Sequence, residues 1–152
     1  MARAASPGRR EQSVFKKIVW ATDGSECADR ALGVAKSLAT NDGAELLAVH
    51  TVEYIIAKGA APQDVDEDST QAKITKQVAD LVSAGVKASS KVVQGGMTGA
   101  AHTIADVAKD EDADVIVIGT RGHTALGGLL LGSVPQRLLH IAPCPVLVVP
   151  PR

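Results

Sequence analysis

The chain has 152 residues, 45% of them apolar and 2% aromatic, with a formal net charge of −1. That length suits one domain, whose core must be built from Val, Leu, Ile and Ala. No basic excess recommends nucleic acid as a partner, no apolar run reaches the length of a membrane span, and Arg3, Arg9 and Arg10 precede no hydrophobic segment of the secretory kind.

Residues 1–13 show no periodicity and read as a mobile tail, leaving 14–152 as the folded unit. Lys17 to Ala21 is a short strand, followed at once by Thr22-Asp23-Gly24-Ser25. Ser25 is placed to cap a helix, with Glu26 and Asp29 favouring its first turn. Ala28, Ala31, Leu32, Ala35, Leu38 and Ala39 then form an apolar stripe at helical spacing, and Gly43 ends it. Ala44 to Val49 is the second strand, closing with His50-Thr51. Residues 52–67 are irregular and acidic toward their end, without the offsets of a calcium loop.

Ile74, Val78, Leu81 and Val82 make a second helical stripe, stopped by Gly85. Val86 to Val93 alternates apolar and polar residues, as a strand covered mainly on one face does. Gln94-Gly-Gly96 is a turn, and Ala100, Ala101, Ile104, Val107 and Ala108 give a third helix. Asp114 to Ile118 reads as a strand buried on both faces. A last helix runs from about Val134 to Ile141, with Pro135 tolerated in its first turn. Val146 to Val149 is the fifth strand. The order βαβαβαβαβ implies an α/β fold: a single open, doubly wound parallel sheet with helices on both faces. The strand order chosen is 3-2-1-4-5, which makes the first and fourth strands neighbours at the switch point.

Between the fourth strand and the last helix lies the most unusual stretch, Gly119 to Ser133. It contains no Gly-Lys-Ser/Thr, so it is not a Walker loop, and no G-x-G-x-x-G. Its spacing is Gly119, two residues, Gly122, nine residues, Gly132-Ser133. Free N–H groups at the start of the following helix favour an anion there, and the Ser133 hydroxyl can cap that helix, bind an anion oxygen, or do both. With strand order 3-2-1-4-5 this stretch faces Thr22-Asp23-Gly24 across one crevice.

This spacing after the fourth of five strands resembles the nucleotide-binding branch of the universal stress protein family. Ala21-Thr22-Asp23-Gly24-Ser25 is similar to that family's signature after the first strand, and 142–149 to its final strand. The resemblance covers almost the whole chain after residue 14. It implies an adenine-nucleotide site made by Ala21, Thr22, Asp23, Thr51, Ile118, Gly119, Arg121, Gly122, Gly132, Ser133 and Val134. In that scheme Asp23 lies near ribose or adenine, and backbone groups at His50-Thr51 hold the adenine. Gly119 and Gly122 lie against ribose and phosphates, and Gly132, Ser133 and Val134 bind phosphate oxygens. Pro135 stands where some members have a hydroxyl residue. The implied ligand is ATP, with or without magnesium, and AMP and cyclic AMP fit the same outline.

An ionised Asp23 suits a sugar better than a phosphate. Arg121 can pair with phosphates or stay solvated, and His123 reads as an ordinary loop residue. The thiols of Cys27 and Cys144 form no metal-type pair and suit a reducing, cytoplasmic setting. A receiver domain is excluded by Val93-Gln94 and Pro150, where its phosphoacceptor and lysine belong. A flavodoxin would want more aromatics. No acid–base pair, oriented nucleophile or metal cluster is legible, so at most weak ATP hydrolysis is expected. The expected output is a conformational or partner-binding change in a stress response, with the protein partner unknown. The alternative is a domain of the same fold that binds no nucleotide, and a third reading is a slow ATPase. The last strand carries no charge and lies at the sheet's edge, so a homodimer through Val146 to Val149 is expected, as the resemblance also implies.

Overall fold

The structure, a computed structural model, describes residues 12–53, 67–122 and 131–151. The expected tail through residue 11, most of the irregular connection and His123 lie outside the described residues. The elements are β1 (Lys17–Ala21), α1 (Glu26–Asp42), β2 (Glu45–Val52), α2 (Glu67–Ser83), β3 (Lys87–Gln94), α3 (Ala100–Asp110), β4 (Val115–Gly119), α4 (Ser133–Ile141) and β5 (Val146–Val149). The five strands form one parallel sheet in the order β3-β2-β1-β4-β5, as expected from the alternating pattern.

Strand side chains alternate between the two faces, and the core splits accordingly. Ile18, Trp20, Leu46, Ala48, Val115 and Val117 pack with α1 and α2. Val19, Leu47, Val49, Ile116 and Ile118 pack with α3 and Leu138 of α4. β4 is buried along its whole length, in keeping with its uninterrupted apolar run.

Helix α1 buries only alanines: Ala28, Ala31, Ala35 and Ala39. Their small side chains let the helix lie close to the sheet, and Trp20 of β1 fills the space beneath it. The Trp20 indole N–H donates to the Ala28 carbonyl at 2.9 Å, so its polar atom is satisfied inside the core. Emptying such a site typically costs about 3–5 kcal/mol. Ser25 caps α1 by accepting from the Ala28 N–H at 3.3 Å, and Gly43 ends it in the left-handed region at φ 64°.

Two helical and strand expectations are corrected. Val82 was placed in the apolar stripe of α2, yet it is 54% exposed, because α2 presents Ile74 and Leu81 to the sheet instead. β3 is more exposed than a strand covered on one face, because it is the sheet's edge.

The lead into β1 is held by carboxylates. Asp42 accepts from the N–H groups of Val14 and Phe15, and Asp114 from those of Lys16 and Lys17. The latter bonds hold the Asp114 carboxyl below its ordinary range. Glu111, at the end of α3, pairs with Lys17 at 2.7 Å and Lys91 at 2.9 Å. These two lysines lower its pKa from 4.5 to about 2.

Candidate functional site

At the carboxyl end of the sheet β1 and β4 lie side by side, paired from Ile18–Val115 to Trp20–Val117. The turns that follow them therefore meet. After β1, the Thr22 N–H donates to the Val49 carbonyl at 3.0 Å, anchoring this turn to β2. The Thr22 hydroxyl accepts from the Gly24 N–H at 3.1 Å, and Asp23 Oδ1 accepts from the Ser25 N–H at 2.9 Å. Gly24 takes φ 79°, where a side chain would be strained, and an added Cβ would press on Thr70 of α2. The Asp23 carboxylate thus braces the turn that starts α1.

After β4, the Thr120 N–H donates to the Val149 carbonyl at 3.1 Å, and the Gly132 N–H donates to the Thr120 carbonyl at 2.6 Å. The start of α4 is thereby folded back onto the end of β4. The glycines have reasons within the protein itself. A Cβ on Gly119 would meet the Cys27 backbone at 2.8 Å, so glycine lets α1 approach β4. A Cβ on Gly122 would collide with Asp23 Oδ2, so the two turns are in close contact at this point. A Cβ on Gly132 would lie 3.1 Å from the Thr120 carbonyl oxygen.

Gly132, not Ser133, is the capping residue of α4, with φ −68° and ψ 164° and no side-chain cap. Ser133 is already helical, so its hydroxyl is not used as a cap, which corrects that half of the sequence reading. Pro135 has no N–H, and the Gln136 N–H bonds the Gly132 carbonyl at 3.1 Å. The first turn therefore offers the backbone donors of Ser133 and Val134. Beside it, Thr120 Oγ1 and Arg121 Nε are buried without hydrogen-bond partners. Unpaired buried polar atoms are uncommon, and Thr120 and Arg121 bring two of them side by side.

Ala21, Thr22 and Ile118 are buried where β1 and β4 end. Thr51 stands two residues beyond Val49, which pairs with Ala21, so it extends the rim at the end of β2. Arg121 is partly buried, and Gly122 and Ser133 are exposed. The sequence points to His50 only for its backbone beside Thr51, and gives the side chains of His50 and Glu67 no role. His50 Nδ1 lies 2.9 Å from the Thr22 main-chain oxygen, and its Nε2 lies 2.7 Å from Glu67 Oε1. The available signal was a lone imidazole in an otherwise apolar strand just before Thr51. Among the described residues, no group of three His, Cys, Asp or Glu side chains is placed to hold a metal ion.

The universal stress protein family model matches residues 15–150. The chain belongs to the universal stress protein family. A universal stress protein of Thermus aquaticus is 37% identical over 139 residues, covering 90% of this chain and 99% of that one. Among solved structures, the Methanocaldococcus jannaschii protein MJ0577 matches with a TM-score of 0.77 and 28% identity, covering 91% of this chain and 98% of that one. A universal stress protein from Archaeoglobus fulgidus in complex with dAMP matches with a TM-score of 0.66 and 26% identity, covering 89% and 98% respectively. Among the described residues of this universal stress protein, no helix is long and apolar enough to cross a membrane.

Proposed function

We propose that this universal stress protein binds an adenine nucleotide, ATP first among them, in the crevice between the β1 and β4 turns. One observation carries the reading: Thr120 Oγ1 and Arg121 Nε are buried and unpaired beside the first turn of α4. A phosphate group supplies acceptors for an arginine N–H, a hydroxyl and helix N–H groups together. The dAMP complex of the Archaeoglobus fulgidus relative supports an adenine nucleotide as the ligand class. In this reading Gly132, Ser133, Val134 and Arg121 take the phosphates. Gly119 and Gly122 give the ligand close access to the backbone, Asp23 accepts from ribose hydroxyls, and Thr51 with the rim of β2 lies toward the adenine. Magnesium, if it accompanies ATP, would be held mainly by the phosphates.

The output is a conformational or partner-binding change in a stress response, in the cytoplasm, by a homodimer joined through β5. Hydrolysis is expected far below typical turnover of roughly 1–1,000 per second. A second reading, an interaction module without nucleotide, is favoured by the packing roles of Gly119 and Gly122, which explain both glycines without a ligand.

Ser133→Ala separates the two. The Ser133 hydroxyl caps nothing, so the substitution leaves folding stability within about 0.5 kcal/mol. Calorimetric titration with ATP should show a loss of roughly tenfold in affinity. Absence of ATP binding by the unaltered protein would favour the interaction module, and unchanged affinity in the variant would move the phosphates away from α4.

A further inference from the structure

His50 is 5% exposed, near the end of β2. Its two ring nitrogens face two acceptors. The Thr22 main-chain oxygen, 2.9 Å from Nδ1, can only accept, so Nδ1 carries a hydrogen and donates. A neutral ring then leaves a lone pair on Nε2, 2.7 Å from Glu67 Oε1, and a carboxylate oxygen also has only lone pairs to offer. Such a contact is repulsive. It becomes a hydrogen bond when the pair holds one more proton, as imidazolium with carboxylate or as imidazole with carboxylic acid. Gln71 Nε2 donates to the same Glu67 oxygen at 2.9 Å, which fixes the carboxyl group's orientation.

We propose that His50 is a positioning residue for the nucleotide crevice: with Glu67 it ties the Thr22–Asp23 turn to the start of α2, and the tie holds only while the pair keeps its shared proton. Its consequence for binding rests on the nucleotide reading above. The tie acts on the site because Thr22 and Asp23 hold the next two backbone N–H groups, and Asp23 lies against Gly122. The other charged groups on the surrounding elements have partners of their own or lie outward. Lys73 of α2 bonds Asp29 of α1 and the Gly24 carbonyl of the turn, Lys91 of β3 bonds Glu111, Glu53 caps α3 at the Ala100 N–H, Asp23 bonds the Ser25 N–H, and Asp68 is exposed. When the shared proton leaves to solvent, Nε2 and Oε1 repel and Glu67 turns away, so the turn keeps the Lys73–Gly24 bond to α2 but loses the one that reaches Thr22.

The test is made on the full chain and on Glu67→Gln. A glutamine amide donates to the Nε2 lone pair of a neutral ring, so this variant keeps the tie without the extra proton. Nitrogen-detected NMR of the ligand-free protein reads the His50 ring. In the unaltered protein, the amides of Thr22, Asp23 and Gly24 should shift in the same step in which the Nε2–Glu67 hydrogen bond is lost, as pH is raised through the range in which the protein stays folded. In Glu67→Gln those amides should stay still. Calorimetry with ATP over the same range should show a fall of roughly tenfold in affinity for the unaltered protein beyond any change in the variant, which controls for titration of ATP itself. Loop amides that move equally in both proteins, or that do not move in either, would overturn the tie. If ATP fails to bind at any pH while the amides follow the proton, the nucleotide reading fails and the tie stands.

Discussion

The sheet has two open edges, and they are built differently. β3 carries Lys87, Ser89, Ser90 and Lys91, is largely exposed, and has Lys91 drawn into an ion pair with Glu111. β5 is Val-Leu-Val-Val without a charge, half-buried, with Leu147 39% exposed. Both edges leave backbone N–H and C=O groups unpaired on one side. Lysines on β3 make strand addition costly, because a second copy would bring like charges together. Nothing on β5 imposes that cost, and Pro150 only prevents the strand from lengthening. In the proposed homodimer, β3 keeps its own protection and β5 would be covered by the partner copy.

The largest effect should come from β5. Leu147→Asp, or Val149→Asp, should raise the dissociation constant of the homodimer by roughly a hundredfold, about 3 kcal/mol. Light scattering coupled to size-exclusion chromatography measures this. A monomeric unaltered protein, or a dimer indifferent to both changes, would show that β5 is not the interface.

Acid should act on the other side of the sheet. Glu111 has its pKa lowered from 4.5 to about 2 by Lys17 and Lys91. Its ion pairs contribute in full above pH 4.5 and are lost as pH falls toward 2, since the unfolded chain takes up the proton first. Asp114, also lowered, acts in the same direction. Hydrogen exchange should therefore accelerate at β3 and the start of β1 over that interval, and less at β5. Uniform acceleration across all five strands would mean that Glu111 does not distinguish the edges.

The smallest effect is expected on β3. Val92 is 46% exposed, and Val92→Asp should change stability by about 0.5 kcal/mol or less and leave the oligomeric state alone. Thermal unfolding and light scattering check both parts. A shift in assembly as large as that of Leu147→Asp would show that β3 is also an interface.

Local signals were read well from the chain. Ser25 and Gly43 bound α1 because a hydroxyl cap and a left-handed glycine are chemistry of adjacent residues. The continuous apolar run of β4 reported burial on both faces. The misreadings fall where neighbours come from elsewhere. Val82 has a helical apolar spacing, but where α2 meets the sheet is decided by the sheet. Ser133 has the chemistry of a cap, yet Gly132 takes the position because its N–H is drawn to the Thr120 carbonyl.

Element type, their alternation, and hence a doubly wound parallel sheet were determined by the sequence alone, because backbone preference and hydrophobic periodicity act over a few residues. The glycine spacing and the turn after β1 likewise pointed to two turns that the structure brings into contact at Gly122 and Asp23. Only the tertiary structure decided what those residues touch. It set Gly122 against Asp23, Gly119 against Cys27, and His50 between Thr22 and Glu67. These contacts join segments from 17 to 99 positions apart, so their distances follow from strand order and helix packing rather than from any local pattern.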